Sequence, residues 1–209
     1  MEIKTDLMNK NCGDYVTFGT YIQSKDSDEK EPIEWKILEK KEDKALLISK
    51  YALSRQQYNY EPDDVTWETC DLRKWLNSEF FEDAFSDDEK SLIESTTVTA
   101  DRNPKYRTRP GNDTIDKVFL LSIIEVLNYF NSDSERLCQP TEKANQEIED
   151  TFFYAHSKDS DGCQWWVRSP GFTRVDAANV DAGGHINYNG LLVKNTISFA
   201  RPALWINMK

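Results

Sequence analysis

Three features of this 209-residue sequence predict an α+β fold in a single domain. Strand-type alternation runs through the first quarter, and helical spacing with capping signals occupies the middle. Short β-type runs separated by Gly, Asn and Pro fill the last third. No repeat or low-complexity linker divides these regions, and the length suffices for one sizeable core. The expectation is short antiparallel sheets with two to four helices over residues 13–209, preceded by an N-terminal tail at 1–12.

The opening sheet is read from three runs. "YVTFGTYI" (15–22) alternates, "PIEWKIL" places Ile33, Trp35 and Ile37 on one face, and "KALLIS" is a short buried stretch. The acidic segment 24–31 between the first two is a hairpin or surface loop. From Thr66 the period changes: in "TWETCDLRKWLNSEFF", Leu72, Trp75, Leu76 and Phe80 fall at helical spacing, which predicts one helix with those four side chains inward. Ser86 with Glu89, and Ser122 with Glu125, each form a capping box that starts a further helix.

The remaining segments follow from turn chemistry. "ADRNPKYRTRPGND" (100–113) is turn-rich and predicts a long exposed loop. "KANQEIEDTFFYA" (143–155) is compatible with a helix running into a strand. After Gly162, "CQWWVRS", "AANV", "GHINY", "GLLV" and "RPALWINM" predict a meander of antiparallel strands, with Asn189–Gly190 as a type I′ hairpin turn.

Composition removes several function classes. The chain is 38% hydrophobic and 12% aromatic, an ordinary globular balance, and its net charge is −11. That field repels a phosphate backbone, and no basic stripe with interleaved aromatics appears, so no nucleic-acid partner is expected. A cationic or neutral partner suits the charge better. No run of 18 apolar residues and no positive n-region with an apolar h-region occurs, so no membrane insertion is expected. The compartment is unknown, cytoplasmic if this is the full-length protein. Cys12, Cys70, Cys138 and Cys163 are far apart without a C-x-x-C pair, which excludes zinc-ribbon and thioredoxin-type readings and leaves free thiols as the expected state.

The candidate site centres on "WWVRSPG" (165–171) and "VDAGGHINYNG" (180–190). Alternation along a strand puts Trp165 and Trp166 on opposite faces, one in the core and the other nearer the surface, with Arg168 on the side of Trp166. Arg168, like Arg201, suits pairing with buried carboxylates or carbonyls as well as ligand contact. His185, Asn187, Tyr188 and Asn189 are polar or amphipathic groups suited to recognition. Trp166, Arg168, His185, Asn187, Tyr188 and Asn189 are therefore the expected ligand face. Should that face lie elsewhere, the loop 100–113 follows, since Arg102, Tyr106, Arg107 and Arg109 concentrate positive charge on an acidic chain.

Catalytic and metal chemistry find less support. "SKDSDG" (157–162) offers Asp159 and Asp161 but puts Ser157 at the first EF-hand position and Arg168 at the twelfth, so an EF-hand is rejected; a solvated turn without metal or cofactor is expected, with a looser oxygen-ligand site as the alternative. Ser169 lacks a G-x-S-x-G elbow, and neither His156 nor His185 has metal-ligand spacing.

The order "FGTY…PIEWKIL…ALLIS…TWETCDLRKWLN…AFSDDEKSLI…DKVFLLSIIEV…WWVRSPG…RPALWI" resembles a bacterial family of unknown function with Trp-Leu-Arg-Ser-Pro-Gly and Arg-Pro-Ala-Leu motifs. The similarity runs from about Gly13 to Asn207. Val167 stands where leucine is usual, and Ala200 where glycine or valine often precedes the Arg-Pro. More distantly, the "RS" strand and the closing "R-P" strand resemble the C-type-lectin-like superfamily, which includes formylglycine-generating enzymes. That resemblance implies a loop-rich ligand face. The formylglycine activity it also implies needs two cysteines near the closing strands, and nothing after Cys163 is a cysteine. The expectation is a non-enzymatic module binding a protein or glycan ligand. The alternatives are a degenerate or uncharacterised enzyme on the same scaffold and a structural domain of a larger assembly.

Overall fold

The alternating runs of the first fifty residues build one side of a five-stranded sheet. The computed structural model describes residues 2–146 and 162–209. Strands β1 (Tyr15–Ile22), β2 (Lys30–Lys41) and β3 (Lys44–Ser49) pair antiparallel in sequence order. Ile33, Trp35 and Ile37 are fully buried as their spacing predicts, and the Trp35 indole N–H donates to Phe18 O at 2.6 Å. The sheet is completed by β12 (Ala203–Asn207) beside β3 and then by β7 (Val118–Phe119). Sandwiched between two neighbours, β3 is buried from Ala45 to Ser49, the pattern of a strand covered on both faces.

A second five-stranded sheet has the order β10, β9, β8, β11, β4. Its strands are β4 (Ser54–Arg55), β8 (Trp165–Pro170), β9 (Asp176–Val180), β10 (Ile186–Leu192) and β11 (Phe199–Ala200). The expected C-terminal meander holds for β8–β9–β10. It then ends: β11 meets β8 in a parallel pairing at Phe199 and Trp165, and the chain crosses to the first sheet as β12. Arg201–Pro202 makes the crossing, where proline has no N–H for a ladder and its carbonyl accepts from Ser49 N at 2.9 Å. "GHINY" and "GLLV" are one strand, β10. Asn189–Gly190 is no hairpin turn but an irregularity inside it, and the turn to β9 lies at 181–185.

Seven short helices occur among the described residues, not two to four. The two serine capping boxes start α4 (Asp87–Leu92) and α5 (Ile123–Tyr129) as expected, with both reciprocal bonds formed in each. The predicted single helix with Leu72, Trp75, Leu76 and Phe80 is two, α2 (Asp71–Leu76) and α3 (Glu79–Ala84). The cause is Asn77. Its amide donates to Arg73 O and Val118 O and accepts from the N–H groups of Lys117 and Val118, tying the end of α2 to β7. Residues 2–9, read as tail, form α1 (Glu2–Asn9) with Leu7 fully buried. The others are α6 (Asp133–Arg136) and α7 (Glu142–Gln146). Mixed helices and largely antiparallel sheets around one hydrophobic cluster make the fold α+β.

The expectation that one of Trp165 and Trp166 lies near the surface is corrected: both have zero exposure. Strand β8 sits inside its sheet between β9 and β11, and all six of its residues are buried. Alternation separates the indoles onto two faces, but both faces are covered. The Trp165 indole donates to Arg136 O at 3.1 Å and that of Trp166 to Gln56 O at 2.8 Å.

Candidate functional site

The loop 100–113 joins the two strands of a small antiparallel ribbon, β5 (Thr96–Val98) and β6 (Thr114–Asp116). Its base is clamped by Asp116, whose carboxylate has no exposed surface. That carboxylate accepts from the Trp67 indole (2.8 Å), the Arg73 Nε–H (2.7 Å) and the Thr114 hydroxyl (2.7 Å). A charge so buried is tolerated because it is paired and its lone pairs are satisfied. A second tie lies nearer the tip, where Asn112 donates to Glu68. The amide side chain and then the backbone N–H of Asn112 hold the Glu68 carboxyl below the usual glutamate range.

The tip is pinned to the second sheet by one buried side chain. Asn103 has zero exposure, and its amide N–H group donates to Pro170 O (2.9 Å), Gly171 O (3.2 Å) and Tyr188 O (2.8 Å). Its carbonyl accepts from Lys105 N and Tyr106 N, closing a local Asx-type turn. The Thr108 hydroxyl reaches Gly171 O and Phe172 O, both at 2.9 Å, and the Tyr106 hydroxyl donates to the Asn189 side chain. Gly171 is required at this junction, since a Cβ there would sit 2.7 Å from Asp176 Cβ. The Ser-Pro-Gly end of β8 is thus the seat of the loop.

What this docking presents to solvent is aromatic and basic. Phe172 is 59% exposed and meets the Tyr106 ring edge-on at 4.9 Å. Arg102, Lys105, Arg107 and Arg109 are all exposed, and none makes an ion pair among the described residues. The loop's two carboxylates are engaged with protein groups: Asp101 with the Ser122 hydroxyl and Arg168, and Asp113 with the Ala100 N–H. Arg107 has φ +62°, the left-handed region that costs a non-glycine residue about 1–2 kcal/mol. It is held there by its N–H bond to Asn103 O (2.8 Å) and by Arg102, whose guanidinium donates to Arg107 O (3.1 Å).

The six expected ligand residues are not brought together. Trp166 is interior, and so is Arg168, with 4% exposure. Its guanidinium donates to Leu120 O (2.8 Å) and Thr99 O (3.1 Å) and pairs with Glu125, the carboxylate that also caps α5. His185 is exposed in the β9–β10 turn, 3.3 Å from Asp181 and 3.5 Å from Asp133. Asn187 is engaged along its own sheet with Asn179 and Gly190. Tyr188 and Asn189 meet the tip of the loop 100–113, and Arg168 reaches its base through Asp101. The residues missed were Asn103 and Phe172. Asn103-Pro104 carries the local turn signal, but its tertiary acceptors lie 67 to 85 residues away.

Beneath the loop, Trp67, Thr99, Asp101, Pro110, Arg168 and Ser169 enclose a cavity of about 10 Å³, room for a water and not for a ligand. Ser169 spends its hydroxyl accepting from Ile123 N at 3.0 Å. Among the described residues no group of three His, Cys, Asp or Glu side chains is placed to hold a metal ion, and no helix is long and apolar enough to cross a membrane. Asp159, Asp161 and His156 lie outside the described residues.

A family described as a domain of unknown function, DUF6273, matches residues 42–208. The chain belongs to the DUF6273 family. The matched region contains β8, the loop 100–113 and β10, so every part of the basic aromatic face lies within the DUF6273 domain. The strands β1 and β2 precede it, although β2 completes its sheet against β3. No curated protein and no solved structure matches the chain.

Proposed function

We propose that the DUF6273 domain is a non-enzymatic ligand-binding module on a C-type-lectin-like scaffold, and that its ligand is an acidic segment of a protein or an acidic glycan. The scaffold reading is supported by the "RS" strand β8 and by the Arg-Pro crossing into the closing strand. The single observation that carries the binding reading is the tip of the loop 100–113. Arg107 is held in a disfavoured backbone conformation beside an exposed aromatic pair, on a loop pinned by a fully buried asparagine. Strain maintained by surrounding structure at an exposed tip marks a functional position. Loop residues on a rigid support are the common carriers of recognition.

The charge of the ligand follows from distance. The net charge of −11 argues for a cationic partner at long range, but at physiological salt the screening length is about 8 Å. At contact the four unpaired cations of one fourteen-residue loop decide the sign. An exposed Phe–Tyr edge supplies apolar area with little side-chain entropy to lose.

An array of acidic and neutral glycans and peptides, with a single-stranded oligonucleotide as counter-ligand, tests this reading. The wild-type chain is expected to retain acidic glycans or peptides in a salt-sensitive manner. An Arg107→Ala/Arg109→Ala variant is expected to lose them. Retention of neutral ligands only, or a double variant indistinguishable from wild type, would overturn it.

A further inference from the structure

Two of the four cysteines, 25 positions apart in sequence, meet in the interior. The Cys163 N–H donates to Cys138 O at 2.7 Å, the Cys138 thiol donates to Gln139 O (3.5 Å) and Lys50 O (3.6 Å), and both residues are buried, 3% and 4% exposed. The approach is tight: a Cβ on the neighbouring Gly162 would lie 3.1 Å from Cys138 O. The Cys138 segment is fixed by Ala52, whose N–H donates to Gln139 O, and Pro140 and Thr141 of the same segment form one wall of an open groove. The Arg201 guanidinium lies close enough to act on both thiols; it donates to Ser49 O and stacks 5.0 Å from the Trp165 ring.

We propose that Cys138 and Cys163 are a redox-sensitive dithiol, oxidised by a hydroperoxide to an intramolecular disulfide. A direct N–H···O bond of 2.7 Å between the two backbones brings the residues into contact, the proximity that a disulfide, with its Cα atoms about 4.4–6.8 Å apart, requires. The surroundings also divide the roles. Burial pushes the Cys138 thiol up, but the neighbouring Cys163 thiol, the Arg201 charge and the Ala52 N–H outweigh it and bring it below the usual thiol value. Burial and the neighbouring sulfur push Cys163 up, which makes Cys138 the first to become a thiolate, the nucleophilic form. Cys70, buried without a thiol partner, is pushed up to about 12 and is the inert comparison.

The chemistry balances with hydrogen peroxide as oxidant. The Cys138 thiolate attacks one peroxide oxygen, an S–O bond forms as the O–O bond breaks, and the departing hydroxide takes a proton to leave as water. The Cys163 thiol then gives up its proton and its sulfur attacks the Cys138 sulfenic acid, forming the S–S bond and releasing a second water. Two thiols and one peroxide become one disulfide and two waters, with two electrons passing from sulfur to oxygen. The bond would join the two ends of the segment 139–162 covalently, restricting the unfolded chain.

The test is a peroxide titration of the intact chain at neutral pH, quenched with N-ethylmaleimide in denaturant and read by peptide mapping. The expected result is a linked peptide pair containing Cys138 and Cys163 at doses that leave Cys70 unmodified. It should revert with dithiothreitol, and the melting temperature of the oxidised form should be higher. Cys163→Ser should instead leave a sulfenic acid at Cys138 that dimedone traps. Full alkylation of both cysteines at a dose that oxidises exposed Cys12 would overturn the proposal. So would over-oxidation of Cys138 without a cross-link. The wild-type map decides even if the serine variant fails to fold.

Discussion

Asn103 is the residue on which the account of the site rests. One amide satisfies three carbonyls from two strands and two N–H groups of its own loop. Removing it takes the amide donor from Pro170 O and Tyr188 O, while Gly171 O keeps the Thr108 hydroxyl, at about 1–3 kcal/mol for an unsatisfied group. Asn103→Ala should therefore lower unfolding stability in urea by about 2–3 kcal/mol. It should also open the loop to trypsin at Arg102, Lys105, Arg107 and Arg109, and unchanged cleavage would show that the loop is held by something else. Arg107→Gly makes the opposite prediction, because glycine adopts positive φ without a Cβ penalty. It should raise stability by up to about 1 kcal/mol while weakening acidic-ligand binding. A destabilised Arg107→Gly variant would remove the claim of strain. Asn103 was legible as a turn residue next to proline, whereas its role as an anchor depends on partners brought from far along the chain.

At the scale of elements, what could be read from sequence was what is local. The capping boxes at Ser86 and Ser122 need only four residues, and both formed. The alternation of Ile33, Trp35 and Ile37 needs only five. The break between α2 and α3 escaped the helical pattern because Asn77 is held by β7, forty residues on. Strand β8 escaped because alternation assigns sides without saying whether each side is covered. Its burial makes a definite prediction: Trp165→Ala and Trp166→Ala should each cost about 3–5 kcal/mol, with similar urea midpoints. A large difference between them would return one indole to the surface. The irregularity in β10 makes another. Gly190 has φ +78°, and a Cβ there would collide with Ala177 O, so Gly190→Ala should cost more than about 1–2 kcal/mol. A thermal melt within a degree of wild type would show that β10 accepts a regular residue there.

The whole molecule pairs an acidic surface with one basic, aromatic tip. Composition made the acidity visible, and the four cations of the loop were visible as a cluster. Their seat was not, since it depends on the second sheet carrying the Ser-Pro-Gly end of β8 beneath the ribbon β5–β6. The crossing at Arg201–Pro202 divides the C-terminal third between two sheets, and the β8–β9–β10 part of it carries Asn189 and Phe172 to Tyr106. His185 lies in the turn before β10, near Asp133, so that turn and the Phe172–Tyr106 tip at the middle of β10 are alternative ligand faces. The measurement that separates them is the affinity of one acidic ligand from the array for Phe172→Ala and for His185→Ala. A central aromatic anchor is worth about 1–2 kcal/mol or more, roughly a five- to thirty-fold loss, so Phe172→Ala should weaken binding by that factor while His185→Ala leaves it unchanged. Binding that survives Phe172→Ala and falls with His185→Ala would place the ligand at the β9–β10 turn and contradict the account.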